Sequence, residues 1–407
     1  MIYDGANPSR TSQSPRASVS ASGPHQSKIL NHKSARGSII VVIMVTLIFT
    51  ALALTLFMEK AGNDLIAEAR EANAHRLRQE AYSALHTTLA VLNQFNEASR
   101  GLHSPAEGWG DPLGFAGYEP ADGRTIDVTF EDESGKISLP QANAVQLQNL
   151  FVAWEMPTAD AERLTDALLG WMKKDHLYST SISPDYDHAT IPYVAPWRSL
   201  RTFDELAAIE YARTVFFDES GKPTDLYRKF TEAVSLYDFA KINLNGAKRD
   251  ALTAAGEFDD EQKSRLTDYL AGTGTALNNG PGWFTSLADA RPYLGAAGRT
   301  DAFGTTISAL RIHLTVHDGR SEFRLNVVVA PPGSRANPVM ITATAAHTNR
   351  EDQPVANPAG ARNQPSTSPT AAAASAAAAR NLNYPFRLLE IRENEPLPPP
   401  PPPQPPS

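Results

Sequence analysis

The segment Ser38–Met58, SIIVVIMVTLIFTALALTLFM, constrains this chain more than any other. Its 21 residues carry no charge. As a helix rising about 1.5 Å per residue it would extend roughly 30 Å, the thickness of a bilayer's hydrocarbon core. A chain holding it is expected to cross a membrane once. A plain signal anchor would account for the segment. A cleaved secretory signal fits less well, because its apolar region is about half as long and no small-x-small site followed by polar residues stands at the far end.

The flanks set the orientation. Residues 1–37 are rich in Ser, Pro and Asn and lack hydrophobic periodicity, which predicts disorder. Arg10, Arg16, Lys28, Lys33 and Arg36 oppose Asp4, a balance of +4 against -8 for the whole chain. The basic side is expected in the cytoplasm and the remainder across the membrane. An acidic balance argues against general nucleic-acid binding. The chain has no cysteine, so disulfides, thiolate metal sites and thiol nucleophiles are excluded together.

Beyond the apolar run the helical pattern continues to about residue 100. Leu85, Leu89, Leu92 and Phe95 recur every three to four residues, and no proline interrupts Ser38–Ser104. The spacing predicts one long helix, half in the membrane and half packed on a domain. Residues 101–120 hold five glycines and three prolines and read as loop. Ile126, Val128 and Phe130 alternate with polar residues, and Lys136–Leu139 reads as a second short strand. Leu310, Ile312, Leu314 and Val316 alternate, as do Phe323, Leu325, Val327 and Val329, with Asp318-Gly319 as a hairpin signal between them. All of these strands are expected in one antiparallel sheet against the long helix, with 101–139 and 305–330 as its two halves.

Residues 140–304 then form an insertion, and its spacing is helical. Helices are predicted over Ala144–Glu155, Thr158–Lys174, Thr202–Tyr211, Lys248–Ala255, Asp259–Ala271 and Ser286–Leu294. The chain also carries a faint internal repeat. Lys136-Ile137-Ser138-Leu139 with Ala142 is echoed by Lys241-Ile242-Asn243-Leu244 with Ala247, each ahead of a helical pair. Residues 331–407 contain 17 of the 31 prolines and an Ala-rich run, which predicts a disordered tail dispensable for folding. Pro385–Ile391 is its only apolar island.

Several of these segments together resemble the K-type minor pseudopilins of type II secretion, within the bacterial type IV pilin superfamily. Lys33-Ser34-Ala35-Arg36-Gly37, abutting the apolar run, is similar to a prepilin peptidase site. Phe130–Leu139 (FEDESGKISL) resembles the family's strand-turn-strand "DESGK(I/L)NLN". Ala167-Leu168-Leu169-Gly170-Trp171 is similar to its "LLDW" helix end and Phe203-Asp204-Glu205-Leu206 to its "sldEL" segment. Lys241–Asn245 with Ala247 resembles "INVNTA", and the closing hairpin matches its last two strands. The resemblance implies an α+β, pilin-like fold: a long N-terminal helix on a small antiparallel sheet, with a large all-α insertion. It implies cleavage between Gly37 and Ser38, with Ser38 as the mature and methylated N-terminus. Most pilins carry Glu at the fifth mature position; here it is Val42. The K-type branch lacks that Glu, which suits a subunit at the filament tip. The implied partners are the I-type and J-type minor pseudopilins, the major pseudopilin and the prepilin peptidase at the bacterial inner membrane, with the C-terminal domain periplasmic. No nucleic acid is among them.

No catalytic chemistry stands out. There is no Walker A loop, G-x-S-x-G or H-E-x-x-H motif, and no enzymatic activity is expected. Calcium has a place in the family, and Asp175, Asp185 and Asp187 share one loop, where several carboxylate oxygens could meet a calcium ion. The spacing is not an EF-hand, and where the family has an acidic cluster after its tryptophan this chain has Met172-Lys173-Lys174-Asp175-His176. Solvated loop carboxylates remain the other reading. Two other functions fit parts of the sequence: a minor pilin of a type IV pilus or DNA-uptake system, and a membrane-anchored periplasmic enzyme.

Overall fold

A computed structural model describes residues 38–121, 123–182, 184–187, 192–277, 281–295, 299–338 and 386–395. The chain divides into two units, one ending at Ala69 and the other beginning at Arg70. In order, the elements are α1 (Ser38–Ser99), α2 (Pro112–Ala116), β1 (Thr125–Asp132), β2 (Ile137–Ser138), α3 (Ala144–Ala153), α4 (Thr158–Met172), α5 (Glu210–Phe216) and α6 (Asp225–Ala233). There follow β3 (Val234–Ser235), β4 (Ile242–Asn243), α7 (Arg249–Gly256), α8 (Asp260–Ala271), α9 (Leu287–Leu294), β5 (Phe303–Gly304), β6 (Leu310–Asp318), β7 (Ser321–Ala330) and β8 (Arg387–Glu393).

In the first unit the apolar run is helix, and its large side chains from Ile39 to Met58 stand exposed. It is the one helix among the described residues long and apolar enough to cross a membrane. Exposed side chains of this kind need a non-aqueous surrounding to be stable.

In the second unit β1, β6, β7 and β8 form one antiparallel sheet in the order β1-β6-β7-β8. Val128 faces Leu314, and Leu314 faces Leu325. Leu310, Ile312, Leu314, Val316, Leu325 and Val327 form one core with Leu77, Leu85, Leu89 and Leu92 of α1, all at most 4% exposed. The period-two and the three-to-four-residue patterns thus meet across one apolar layer. Gly319, with φ +59°, makes the tight turn that lets Asp318 face Ser321.

Three expectations are corrected. Lys136–Leu139 does not join this sheet. Ile137 and Ser138 pair in parallel with Val234 and Ser235, because the turn Glu133–Gly135 carries the chain out of the sheet into the helical layer. The insertion is accordingly not purely helical, since β4 also pairs in parallel with β5. The tail beginning at residue 331 is not wholly without structure. Ala336 is buried against Tyr237 and Phe239, Asn337 exchanges backbone hydrogen bonds with Asp238, and β8 pairs with β7. The physical reason is that β7 would otherwise present an unpaired edge. The tail residues 339–385 and 396–407 lie outside the described residues.

The helices of the insertion surround a second core that includes Leu150, Phe151, Leu164, Leu168, Phe216, Phe230 and Leu252. The expected helix Thr202–Tyr211 is instead a 3-10 turn, Phe203–Ala208, followed by α5, with the buried Ile209 in extended backbone between them. Helix α6, capped by Thr224 accepting from the Tyr227 N–H, was not foreseen. The repeat is real in three dimensions. Each copy runs from a two-residue strand through a 3-10 turn into a helix, β2 into α3 and β4 into α7, and the two helices pack on each other.

Candidate functional site

The two copies of the repeated motif meet at the end of the sheet. Asp132, the last residue of β1, accepts hydrogen bonds from the Ser134 N–H at 2.9 Å and the Ser134 hydroxyl at 2.6 Å. It also accepts one from the Asn243 Nδ2 of the second copy at 2.7 Å. Asn243 donates again to the His103 carbonyl at 3.0 Å, which ties the loop after α1 to the same point. The backbones are close here. The Lys248 N–H donates to the Gly135 carbonyl at 3.2 Å, and a Cβ on Gly135 would stand 2.1 Å from the Gly246 oxygen. The glycine of DESGK is therefore required by contact, not by its φ. Burial pushes the Asp132 carboxyl up to about 6, outweighing the Ser134 and Asn243 hydrogen bonds that favour its charged form.

Beside this junction, on the sheet face away from α1, lies a cluster of charge. Lys136 is 5% exposed and reaches Glu131 at 2.8 Å. Arg311 donates to the buried Glu133 at 2.6 Å, and the Ser235 hydroxyl donates to the other Glu133 oxygen at 2.9 Å. Burial alone would raise the Glu131 carboxyl, but His313 and Lys136 overcome it and hold it well below the usual carboxylate range. Burial would lower the Arg311 guanidinium, but Glu133 and its neighbours hold it above the ordinary value. Glu390 of β8 takes the Tyr237 hydroxyl, so the last strand joins the same network. These groups line a cleft of about 640 Å³ between the sheet and the helical layer. Cations and carboxylates saturate one another in it, so the chemistry of the arrangement is that of a joint: it fixes one layer on another.

The foreseen site residues lie elsewhere. Ser38 opens α1 and Val42 lies exposed on it, while Gly37 falls outside the described residues. Asp175, Asp185 and Asp187 sit exposed in the stretch after α4. Among the described residues no group of three or more His, Asp or Glu side chains is placed to hold a metal ion. What orders the start of that stretch is Asp166, which accepts from Ser179 and Thr180 backbone N–H groups at 2.8 Å each and lies 2.9 Å from His176. Glu133, Arg311, Glu390 and Glu393 were missed as a set. A signal existed for Arg311: with His313 it alternates with the apolar residues of β6, on the face away from α1.

Residues 129–216 match the family described as type II secretion system (T2SS), protein K. No curated protein matches the chain. Among solved structures, a chain of the GspK-GspI-GspJ complex from enterotoxigenic Escherichia coli is similar, with 16% identity and a TM-score of 0.45, over 66% of this chain and 94% of that one. The matched family segment runs from the end of β1, through the Asp132–Lys136 turn and α3, to the end of α5, so it contains one side of the junction described above. Residues 129–216 are thus similar to the protein K family of the type II secretion system.

Proposed function

We propose that this chain occupies the tip of the pseudopilus, where it primes or caps the short filament that helps move folded proteins across the outer membrane. The observation that carries the reading is Val42. A carboxylate within a bilayer is costly, and in the superfamily the Glu at this place neutralises the N-terminal amine of the neighbouring subunit. A helix with Val42 has nothing there to neutralise that amine, so it suits one position in the bundle, the end. The helical insertion supports the same place, because a large domain fits more readily at an end than in a repeating lattice. The partners of this reading are I-type and J-type minor pseudopilins, GspI and GspJ being the other components of the complex to which the chain is similar. The peptidase would cut between Gly37 and Ser38 and leave the anchor in the inner membrane, with the second unit in the periplasm.

Sequencing the mature N-terminus from native membranes tests the first step. Ser38 is expected, methylated; an intact Met1 in a peptidase-competent strain would contradict the reading. Co-purification with the I-type and J-type subunits tests the second, and recovery of this chain alone as a long homopolymer would remove the tip role.

A further inference from the structure

The last strand is bound in the manner of a ligand. Strand β8 adds to the edge of β7, from Leu325 facing Glu393 to Ala330 facing Arg387. The register skips Leu389, since Val328 faces Glu390 and Val329 faces Leu388. This bulge puts Leu389 and Glu390 on the side of the helical layer, while Phe386 and Leu388 join the core against α1. Few side chains anchor the strand. Phe386 is 1% exposed, but every residue from Arg387 to Glu393 is half-buried or exposed. Polar contacts add to the packing of Leu388 and Leu389. Glu390 takes the Tyr237 hydroxyl, and Glu393 accepts from the Tyr82 hydroxyl at 2.7 Å and from Arg78 Nε at 2.9 Å. An ion pair as exposed as Arg78–Glu393 contributes little by itself.

In the chain, 56 residues separate Ala330, the end of β7, from Arg387, the start of β8. The neighbours of the seat, β7 on β6 and Tyr82 on α1, also meet main-core residues other than Phe386 and Leu388. A backbone ladder for affinity and alternate pockets for selection is how extended peptides add to sheet edges.

We infer that the edge of β7 is a strand-binding groove that the chain fills with its own residues 386–395, and that this strand exchanges with other extended peptides. The peptides it takes carry an aromatic residue, an aliphatic residue two positions on, and acidic residues four and seven positions on. The groove's own strand, being part of the same chain, competes with any partner strand of that pattern. This goes beyond the tip assignment and stands independently of it.

The experiment uses the full chain with a specific protease site placed within residues 339–385, cut after purification. The C-terminal fragment is expected to stay bound after cutting and to exchange with an excess of a fluorescent peptide spanning residues 385–395. The same peptide with Phe386→Ala should bind roughly tenfold or more weakly, given the usual cost of removing a buried aromatic anchor, and with Glu390→Gln a few-fold more weakly. Three results would each overturn the proposal: a fragment that leaves on cutting without any peptide rebinding, a fragment that no excess of peptide displaces, or a Phe386→Ala peptide that binds as well as the parent.

Discussion

The two copies of the Lys-Ile-x-Leu motif follow the same backbone path and have opposite surroundings. In the first, Lys136 is buried between Glu131 and Glu133, and Ser138 bonds within its own layer, to the Tyr237 carbonyl at 2.9 Å. In the second, Lys241 is exposed and reaches the Asp301 carbonyl, while Asn243 crosses to Asp132 and His103. The isoleucines and leucines are buried in both. The apolar positions therefore build the repeated unit, and the polar positions decide where each copy is fastened. One copy clamps the charged sheet face through its lysine, and the other clamps the end of β1 through its asparagine.

The sharpest way to break this contrast is to remove both lysines in turn. Lys136→Met leaves Glu131 and Glu133 short of a cation in a buried place, and should cost about 3–5 kcal/mol. Lys241→Met should change stability by less than about 0.5 kcal/mol, as exposed substitutions do. Chemical denaturation of the two variants checks this, and equal losses would refute the asymmetry. A comparable effect is expected at the contact between the copies. Gly135→Ala drives a methyl into the Gly246 carbonyl and should cost on the order of 1–3 kcal/mol, read as a lower melting temperature.

The junction carboxylate gives a pH dependence with a definite sign. Asp132 is held near 6 in the fold against an ordinary 3.8. An acid with a raised folded pKa keeps its proton in the folded state after the unfolded chain has lost it. Its contribution to stability therefore falls as pH rises from about 4 to about 6 and is level above, a change of roughly 3 kcal/mol. Comparing the melting curves of the parent and Asp132→Asn across that range isolates the slope, which the variant should lack. Among the buried positions the smallest effect is expected at Ser138: its change to Ala should cost about 1 kcal/mol, less than Asn243→Ala, which takes a donor from both the His103 carbonyl and Asp132.

The sheet was legible in the sequence where pattern and turn agreed. The alternation of Leu310–Val316 and Phe323–Val329 around Asp318-Gly319 specifies both strands and their pairing. Strand β8 was harder to read because RLLEIRE does not alternate cleanly and stands among prolines. Its bulge at Leu389 breaks the period, although the apolar island Pro385–Ile391 marked the place. The expectation that everything after residue 330 lacks structure does not hold for residues 331–338 and 386–395, where Ala336 and Phe386 are buried. Of the site, the motifs were readable and their meeting was not. That Asn243 reaches Asp132, 111 positions away, follows from the packing of α3 on α7, which local spacing does not encode. The charged cluster was hidden for the same reason, since Glu133, Arg311 and Glu390 come from three distant segments.

The place of the chain in the filament can be measured directly. The full-length protein, carrying a single label in the second unit and expressed at native level with its secretion system, is imaged on isolated pseudopili. One label per filament, at one end, is the expected result. Labels spaced along the filament, or filaments that form at normal number and length without this chain, would contradict the assignment to the tip.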